Sequence, residues 1–399
     1  MKCNKWTLAL AAAGVVSLGS VVQAEEQHQL LTALSSTTLS GYVDTSANWR
    51  VGQNRGFLPG RTFDGADKQD GFNLNRVQLS LEKPLDEGQW SAGYKVDLVF
   101  GPDANYYASI PNGGGFTPAD DFAVKQAYAT FRAPVGNGLD FKMGVFDTII
   151  GYEVFETGNN PNFSRSYAYS LEPTHHTGLL ASYKLTDMVS VSAGIANGWT
   201  GPINDKYTGA SSVKTYMGSI TVTLPESTGG LAGSALYAGV VDGDNTGVAA
   251  TTIKRTTSYY AGATLNTGIT GLSLGGAFDY RDDGAGNFVT APHNWAWAAA
   301  LYTSYQATEK LKLNGRAEYT KGSNGTYYFR ATNDKQNELF GLTLTADYAL
   351  WSSLITRLEG RWDSTLNGDR PFGTGTSAPS APPADHTALT LALNVIYKF

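Results

Sequence analysis

The sequence has one cysteine, Cys3, which lies ahead of the first apolar run. A chain without a second cysteine forms no internal disulfide, which excludes the small disulfide-stabilised secreted scaffolds. After residue 25, no stretch reaches the roughly 18 consecutive apolar residues of a membrane-spanning helix. Basic residues are scattered and the formal net charge is −6 at pH 7, so the composition does not indicate a nucleic-acid partner.

The first 24 residues have the pattern of a secretory signal peptide. Lys2 and Lys5 precede an apolar run, and Val22-Gln23-Ala24 is a small-x-small cleavage sequence. We therefore predict a signal peptide over residues 1–24, a short periplasmic lead-in over 25–38 and one domain over 39–399.

Aromatic residues make up 12% of the chain and glycine occurs 46 times, yet the mean hydropathy is only −0.22. In the closing segment, HTALTLALNVIYKF, every second residue from Leu389 to Phe399 is apolar, and the other parity carries Thr390, Ala392, Asn394, Ile396 and Lys398. This pattern indicates a strand with one apolar face. A transmembrane barrel combines these features, because only alternate residues face lipid and closure leaves no free sheet edge.

Sixteen segments have strand-like alternation. They span 39–51, 71–83, 90–100, 122–133, 138–148, 175–186, 189–198, 214–225, 231–241, 255–266, 271–281, 294–307, 311–321, 337–349, 352–364 and 386–399. Long and short connections alternate between them, as in membrane barrels with long external loops and short periplasmic turns. The predicted fold class is therefore all-β, a transmembrane antiparallel β-barrel of about 16 strands.

Two of these segments are irregular. In the second, Phe72 and Leu74 are out of phase with the later apolar residues from Val77 onward, and in the fourth neither parity is cleanly apolar. In the regular segments, charges occupy the parity opposite to the apolar one, which suits a wet interior. The predicted pore-lining residues are Asp44, Arg50, Lys95, Asp97, Arg316, Glu318, Arg357, Glu359 and Arg361.

The central region from Lys125 to Trp199 resembles the OmpL-like family of bacterial outer-membrane porins. It includes KQAYATFRAPVGNGLDF, GYEVFETGNNPNFSRSYAYSLEPTHHTG and ANGW, and the segment GFNLNRVQLSLEKP with the Phe-terminated last strand extends the likeness. The resemblance implies an outer-membrane location and a water-filled channel for passive diffusion of small hydrophilic solutes and ions.

In general porins, the loop at the place of residues 149–174 folds into the barrel and narrows the pore. Carried over, this implies constriction-loop roles for Glu153, Glu156, Asn159, Asn160 and Asn162. The two glutamates would face the basic wall across water and set up a transverse field. In the alternative, the loop lies on the outer rim and the lumen charges form local ion pairs.

The resemblance also implies that Phe399 belongs to the assembly signal read by the barrel-assembly machinery. Outer-membrane lipid is the expected surroundings, and a homotrimer is expected by analogy with barrels of this strand number. No nucleic-acid partner is expected.

Two other classes of protein remain as alternatives. An outer-membrane hydrolase would need a Ser, a His and an acid held together on the wall, and no GxSxG motif is present. A structural or adhesive barrel with a plugged lumen would keep the same charged inward faces. His175 and His176 are adjacent on a strand and point to opposite faces, so no metal site is expected there. We expect no catalytic residue and no cofactor.

Overall fold

The computed structural model describes residues 36–52, 56–86, 88, 90–107, 121–204, 206, 213–245, 255–284, 294–328, 336–373 and 385–399. The chain divides into two units, Met1–Thr38 and Leu39–Phe399. The predicted signal peptide and nearly all of the predicted lead-in lie outside the described residues. Everything below concerns the second unit.

Sixteen antiparallel strands close into one barrel within the described residues, each paired with its sequence neighbours. They are β1 (Thr38–Val51), β2 (Gly71–Lys83), β3 (Ala92–Phe100), β4 (Phe122–Ala133), β5 (Leu139–Asp147), β6 (His175–Lys184), β7 (Val189–Ala196), β8 (Thr215–Thr223), β9 (Ala235–Asp244), β10 (Arg255–Asn266), β11 (Leu272–Asp282), β12 (Trp295–Gln306), β13 (Leu311–Gly322), β14 (Asn337–Trp351), β15 (Leu354–Thr365) and β16 (Thr387–Lys398). Each predicted segment overlaps one of these strands, so the predicted fold class is confirmed.

Helical structure is confined to short 3₁₀ turns in the described part of the chain. These turns span Ala66–Lys68, Pro102–Tyr106, Thr157–Asn159, Ala168–Leu171 and Glu226–Leu231. No helix among the described residues is long and apolar enough to cross a membrane.

The barrel closes where β16 pairs with β1. The register runs from Tyr42 opposite Lys398 to Val51 opposite Leu389. Beyond it, the backbone N–H groups of Gly41 and Phe399 each donate to the other residue's carbonyl at 3.0 Å. The Phe399 ring lies over Gly41, where an added Cβ would come within 2.7 Å of its Cζ. The last residue is therefore held by both backbone and ring contacts.

The two faces of the wall are inverted relative to a soluble protein. Leu344 and Leu358 point outward and are 63% and 61% exposed, whereas Arg316 and Glu359 point inward and are 1% and 2% exposed. Leucine outside and ion pairs inside suit a barrel whose exterior contacts hydrocarbon and whose interior is polar.

The two irregular strands depart from alternation in different ways. In β2, the consecutive residues Asn75 and Arg76 are both buried, so the alternation changes phase there. In β4, the register shifts so that Asp97 faces Gln126 and Leu98 faces Val124, which leaves Lys125 as the extra residue. A bulge adds one residue to a strand and redirects its side chain. The phase change in β2 and the bulge in β4 each bring a cation, Arg76 and Lys125, into the lumen.

The lipid-facing parity can be tested in the middle of β15. Replacing Leu358 by Arg should cost roughly 2–4 kcal/mol of unfolding free energy if the site lies at the bilayer midplane, because the charge would enter hydrocarbon. Urea unfolding in lipid vesicles measures the difference.

The matched control is Asn314→Arg on the inward face of β13. Its amide lies 3.2 Å from a carboxylate oxygen of Asp347, which can pair with the new charge. This variant should lose much less stability than Leu358→Arg. Equal losses at the two positions would contradict the assignment of faces.

Candidate functional site

Residues 148–174, between β5 and β6, form the inner loop, which lies inside the barrel. Thr157, Asn162 and Tyr167 in this loop are fully buried. Its side chains and backbone contact wall strands on both sides of the lumen, as the following pairs show. The loop therefore crosses the interior.

Glu153 is bound directly to the wall of β12 and β13. Its carboxylate lies 2.8 Å from the Arg316 guanidinium and accepts a hydrogen bond from the Tyr302 hydroxyl at 3.2 Å. The Ser166 backbone N–H donates to its other oxygen at 2.7 Å. The loop approaches the basic wall closely enough for a direct ion pair, so the expectation that Glu153 faces this wall across water is wrong.

Glu156 is held by the opposite side of the barrel. The ammonium of Lys125, the bulge residue of β4, lies 3.0 Å from its carboxylate, and the Gln78 amide donates to it at 3.3 Å. Lys125 also pairs with Asp147. Burial alone would raise the pKa of Glu156, but Lys125 more than offsets this and lowers that pKa below its usual value. Glu156 therefore stays ionised at neutral pH.

Arg357 on β15 binds the loop backbone at its first 3₁₀ turn. It donates to the Thr157 carbonyl at 2.5 Å and to the Asn160 carbonyl at 3.0 Å, and it pairs with Asp347 at 3.0 Å. The Asn160 side chain bonds both the N–H and the carbonyl of Val154 and so shapes the loop. Asn159, by contrast, is exposed.

Two wall carboxylates accept hydrogen bonds from the loop backbone. Glu359 accepts from the N–H groups of Phe163 and Ser164 at 2.6 and 3.0 Å. Glu318 accepts from the Tyr167 N–H at 2.6 Å. The Asn162 side chain donates to the Thr345 hydroxyl at 2.7 Å. Charge-assisted hydrogen bonds of this kind are stronger than neutral ones, so they fix the loop firmly.

Arg361 and Arg165 complete the contact between loop and wall. Arg361 donates to the Arg165 carbonyl and pairs with Asp363 and Glu318 at 2.9 and 3.2 Å. The Arg165 guanidinium turns back into the loop and donates to the carbonyls of Phe155, Phe163 and Val154 at 2.6, 2.8 and 3.1 Å. Arg165 therefore fixes the internal fold of the loop.

The other predicted pore-lining residues pair with residues of the wall rather than with the loop itself. Asp44 accepts from Asn75 and Asn394, Arg50 donates to the Thr387 carbonyl, Lys95 pairs with Glu82, and Asp97 accepts from Gln126. They belong to β1 and β3, whereas the loop binds most strongly to β13–β15. Of the nine predicted residues, the structure brings Arg316, Glu318, Arg357, Glu359 and Arg361 to the loop.

Sequence reasoning missed the cations of the two irregular strands, Arg76 and Lys125, and it missed Arg165. Arg76 donates to the Phe155 carbonyl at 2.6 Å and to the Thr157 hydroxyl at 2.8 Å, and its guanidinium lies 4.1 Å from the Phe155 ring centroid. The broken alternation in the second and fourth segments was the available signal, because a bulge redirects side chains. For Arg165, the sequence offers no such signal.

An open polar cavity of about 450 Å³ lies beside the loop. Its lining comes from β1–β5, β16 and the first 3₁₀ turn of the loop, and comprises Ser40, Gly41, Tyr42, Gln78, Ser80, Lys95, Gln126, Asp147, Glu156, Gly158, Asn159, Ile396, Lys398 and Phe399. Charged groups of both signs, amides and hydroxyls can solvate a small hydrophilic molecule there.

The hydrogen-bond partners given below for the described histidines are threonine hydroxyls and a backbone carbonyl, and none is the serine that a hydrolase would need. His175 and His176 contact the hydroxyls of Thr174 and Thr148, and His386 contacts the Asp369 carbonyl. No group of three metal-ligating side chains occurs in the described part of the chain. The site therefore has the chemistry of a polar, ion-paired passage.

The role of Arg165 can be tested by Arg165→Gln. This change removes three hydrogen bonds to loop carbonyls. The Phe155 and Val154 carbonyls keep a second donor, Arg76 and Asn160, whereas the Phe163 carbonyl loses the donor described above. An unsatisfied buried group costs about 1–3 kcal/mol. We expect faster hydrogen exchange at residues 150–170, measured by mass spectrometry, with unchanged protection of the strands. Arg132→Gln, which removes a half-exposed ion pair with Asp140, is the control and should leave the loop unchanged. Equal exchange rates in Arg165→Gln and the parent protein would contradict this role.

Three comparisons with known proteins bear on the identity of this barrel. No curated protein sequence matches the chain. The outer membrane channel DcaP of Acinetobacter baumannii is similar in structure, with a TM-score of 0.58 and 13% identity over 91% of this chain and 97% of that one. The anion-selective porin from Comamonas acidovorans gives a TM-score of 0.58 and 12% identity over 91% and 99%.

The trimer form of OmpT from Vibrio cholerae gives a TM-score of 0.55 and 14% identity over 91% of this chain and 99% of that one. At these identities, the likeness establishes the fold alone. The family model described as "Putative beta-barrel porin-2, OmpL-like" matches residues 36–399, the whole barrel. The chain belongs to this OmpL-like family of beta-barrel porins.

Proposed function

We propose that this porin lets small hydrophilic solutes and ions diffuse passively through the bacterial outer membrane, with the inner loop as its constriction. The observation that carries the proposal is the inner loop, which crosses a barrel with an apolar outside and a charged inside. The polar cavity beside the loop supports a hydrated route. The proposed role is that of a channel and not of an enzyme, and membership of the porin family supports it.

Single-channel recording of the refolded protein in planar bilayers tests this function. Stepwise conductance that grows with salt concentration is expected, together with swelling of liposomes in small sugars. The many contacts of the inner loop favour a second candidate, a plugged structural barrel. Heat-modifiable, membrane-inserted protein that never conducts would support the plugged barrel and contradict the channel.

The ion pairs of the loop suggest what sets ion selectivity. Arg316 is ion-paired with both Glu153 and Glu318. Replacing one of these carboxylates by an amide therefore makes the net charge beside the loop more positive. We expect the double variant Glu153→Gln with Glu156→Gln to shift the reversal potential toward anion selectivity in a salt gradient. The shift should be larger at low salt, because screening is weaker there.

Glu309→Gln is the matched control for this measurement. Glu309 is exposed in the short turn between β12 and β13, away from the loop. The reversal potential of the Glu309→Gln variant should equal that of the parent protein. An unchanged potential in the double variant at low salt would show that the loop does not govern selectivity.

We also propose that Phe399 serves as part of the assembly signal after export by a cleaved signal peptide. Deleting Phe399 removes both backbone hydrogen bonds to Gly41 and the ring above it. We expect the deleted protein to accumulate in the periplasm, as measured by cell fractionation and heat modifiability. Phe399→Trp keeps an aromatic ring and should insert normally. Normal insertion of the deletion variant would refute the assembly role.

A homotrimer is the proposed assembly, supported by the trimer form of the Vibrio cholerae neighbour. Outer-membrane lipid surrounds the proposed assembly. Electrophoresis of unheated and heated samples tests the proposal. The apparent mass of the unheated protein should be that of three chains, and the heated sample should run as a single chain.

A further inference from the structure

The polar cavity beside the inner loop carries charges of both signs at separate places. Asp147 and Glu156 form an acidic pole, Lys398 of β16 forms a basic pole, and all three side chains line the cavity. We propose that this cavity binds zwitterionic solutes of amino-acid or dipeptide size, whose ammonium group contacts the acidic pole and whose carboxylate contacts the basic pole. The inference names a solute class for the proposed channel and, as a statement about transport, rests on that function.

The acidic pole has more negative than positive charge. Asp147 and Glu156 share one cation, the ammonium of Lys125, which lies 3.0 Å from a carboxylate oxygen of Glu156. The Lys125 side chain is 1% exposed, whereas the side chains of Asp147 and Glu156 are 35% and 19% exposed. A solute in the cavity therefore meets the two carboxylates, while their shared cation is buried.

The basic pole is a cation without an acidic partner. Lys398 has the same parity as the buried Ile396, and its side chain lies against the inner loop, because a Cβ on Gly158 would come within 3.3 Å of Lys398 Cε and 3.4 Å of its Nζ. No carboxylate is ion-paired with this ammonium in the described part of the chain. The other lining cation, Lys95, is already paired with Glu82 at 3.2 Å. The charge of Lys398 is therefore available to a solute.

The two poles are close enough for one small molecule to reach both. Glu156 is two residues from Gly158, which lies against Lys398, so the Cα atoms of the two loop residues are at most about 7 Å apart. Tyr42, opposite Lys398 in the β1–β16 register, donates to the Gln78 side chain at 3.1 Å, and Gln78 donates to Glu156 at 3.3 Å. Neutral polar groups therefore connect the poles, and they can bond a peptide group without adding charge.

This charge pattern favours one class of solute over the others. In a narrow lumen with walls of low dielectric constant, charges interact more strongly than in bulk water. A solute with only a carboxylate is attracted by Lys398 and repelled by Asp147 and Glu156, and a solute with only an ammonium group meets the reverse. A zwitterion can place each charge at the pole of opposite sign. The cavity volume of about 450 Å³ is within the range of roughly 300–1,000 Å³ found for small-molecule sites.

Equilibrium binding of four matched peptides to the refolded protein tests the site. Glycylglycine carries both charges, N-acetylglycine only the carboxylate, glycylglycinamide only the ammonium group, and N-acetylglycinamide neither. Saturation-transfer NMR titrations at neutral pH and low salt give the four dissociation constants. We expect glycylglycine to bind about fivefold more tightly than each of the other three, the size expected of one partly exposed ion pair. If any of the others binds as tightly as glycylglycine, the proposal is overturned.

Variants at the two poles show which charge each pole recognises. Lys398→Gln should weaken the binding of glycylglycine about fivefold, whereas glycylglycinamide, which has no carboxylate, should bind no more weakly than before. Glu156→Gln should weaken glycylglycine and glycylglycinamide, and N-acetylglycine should bind no more weakly. An equal loss for all ligands in either variant would contradict charge recognition at that pole.

Matched controls separate the charge from the fold. Lys398→Arg keeps the cation and should retain the affinity for glycylglycine, so a loss as large as that in Lys398→Gln would contradict the role of the charge. Lys184→Gln removes an exposed lysine that is paired with Asp187 at 2.8 Å, at the end of β6 and outside the cavity lining. This variant should leave all four affinities unchanged, and a selective loss of glycylglycine binding there would overturn the assigned site. Heat modifiability confirms that each variant forms the barrel, and the comparison of the four peptides on the parent protein needs no variant.

The binding site and the channel can fail separately, because equilibrium binding is measured without conduction. Tight, selective binding of glycylglycine to a barrel that never conducts would support the site and overturn the channel. A conducting barrel that binds the four peptides equally would support the channel and overturn the site.

Discussion

The hydrogen bonds between β1 and β16 are the contacts on which the rest of the structure depends. In hydrocarbon, an open sheet edge would leave backbone N–H and carbonyl groups without partners, so only a closed barrel is stable there. Closure also fixes parity, because a slip of one residue would turn every side chain of a strand to the other face. With the register that runs from Tyr42 to Val51, the charged parity of each regular strand faces inward. The polar interior is thus a consequence of how the barrel closes.

Enclosed charges need partners, and the inner loop supplies many of them. Arg316, Arg357 and Arg361 donate to loop carbonyls, while Glu318 and Glu359 accept from loop N–H groups. A buried charge that loses its partner is strongly destabilising. Wall and loop are therefore stabilised together, and the shape of the passage is set by the whole ion-paired unit rather than by any single residue.

Much of the fold follows from the sequence because alternation is a local property of each strand. All sixteen strands were predicted on that basis, whereas the family was predicted from the resemblance of the central region to OmpL-like porins. The two irregular segments contain Arg76, where the alternation changes phase, and the bulge residue Lys125. The contacts of the inner loop could not be predicted in this way. Glu359 and the backbone of Ser164 are 195 positions apart, and only the closed barrel brings them together. The expectation that water separates Glu153 from the basic wall was wrong for the same reason. Alternation along a strand says nothing about the distance between the loop and the wall across the lumen.

The separation between loop and partners also constrains the order of folding. The inner loop is synthesised early, but Glu318, Arg357, Glu359 and Arg361 belong to strands near the other end of the chain. Contacts of such long range pay the entropy of closing a large chain segment before they contribute, so they form late. The loop can reach its buried position only once β13–β15 stand beside it. The passage therefore acquires its final cross-section only after these strands have assembled.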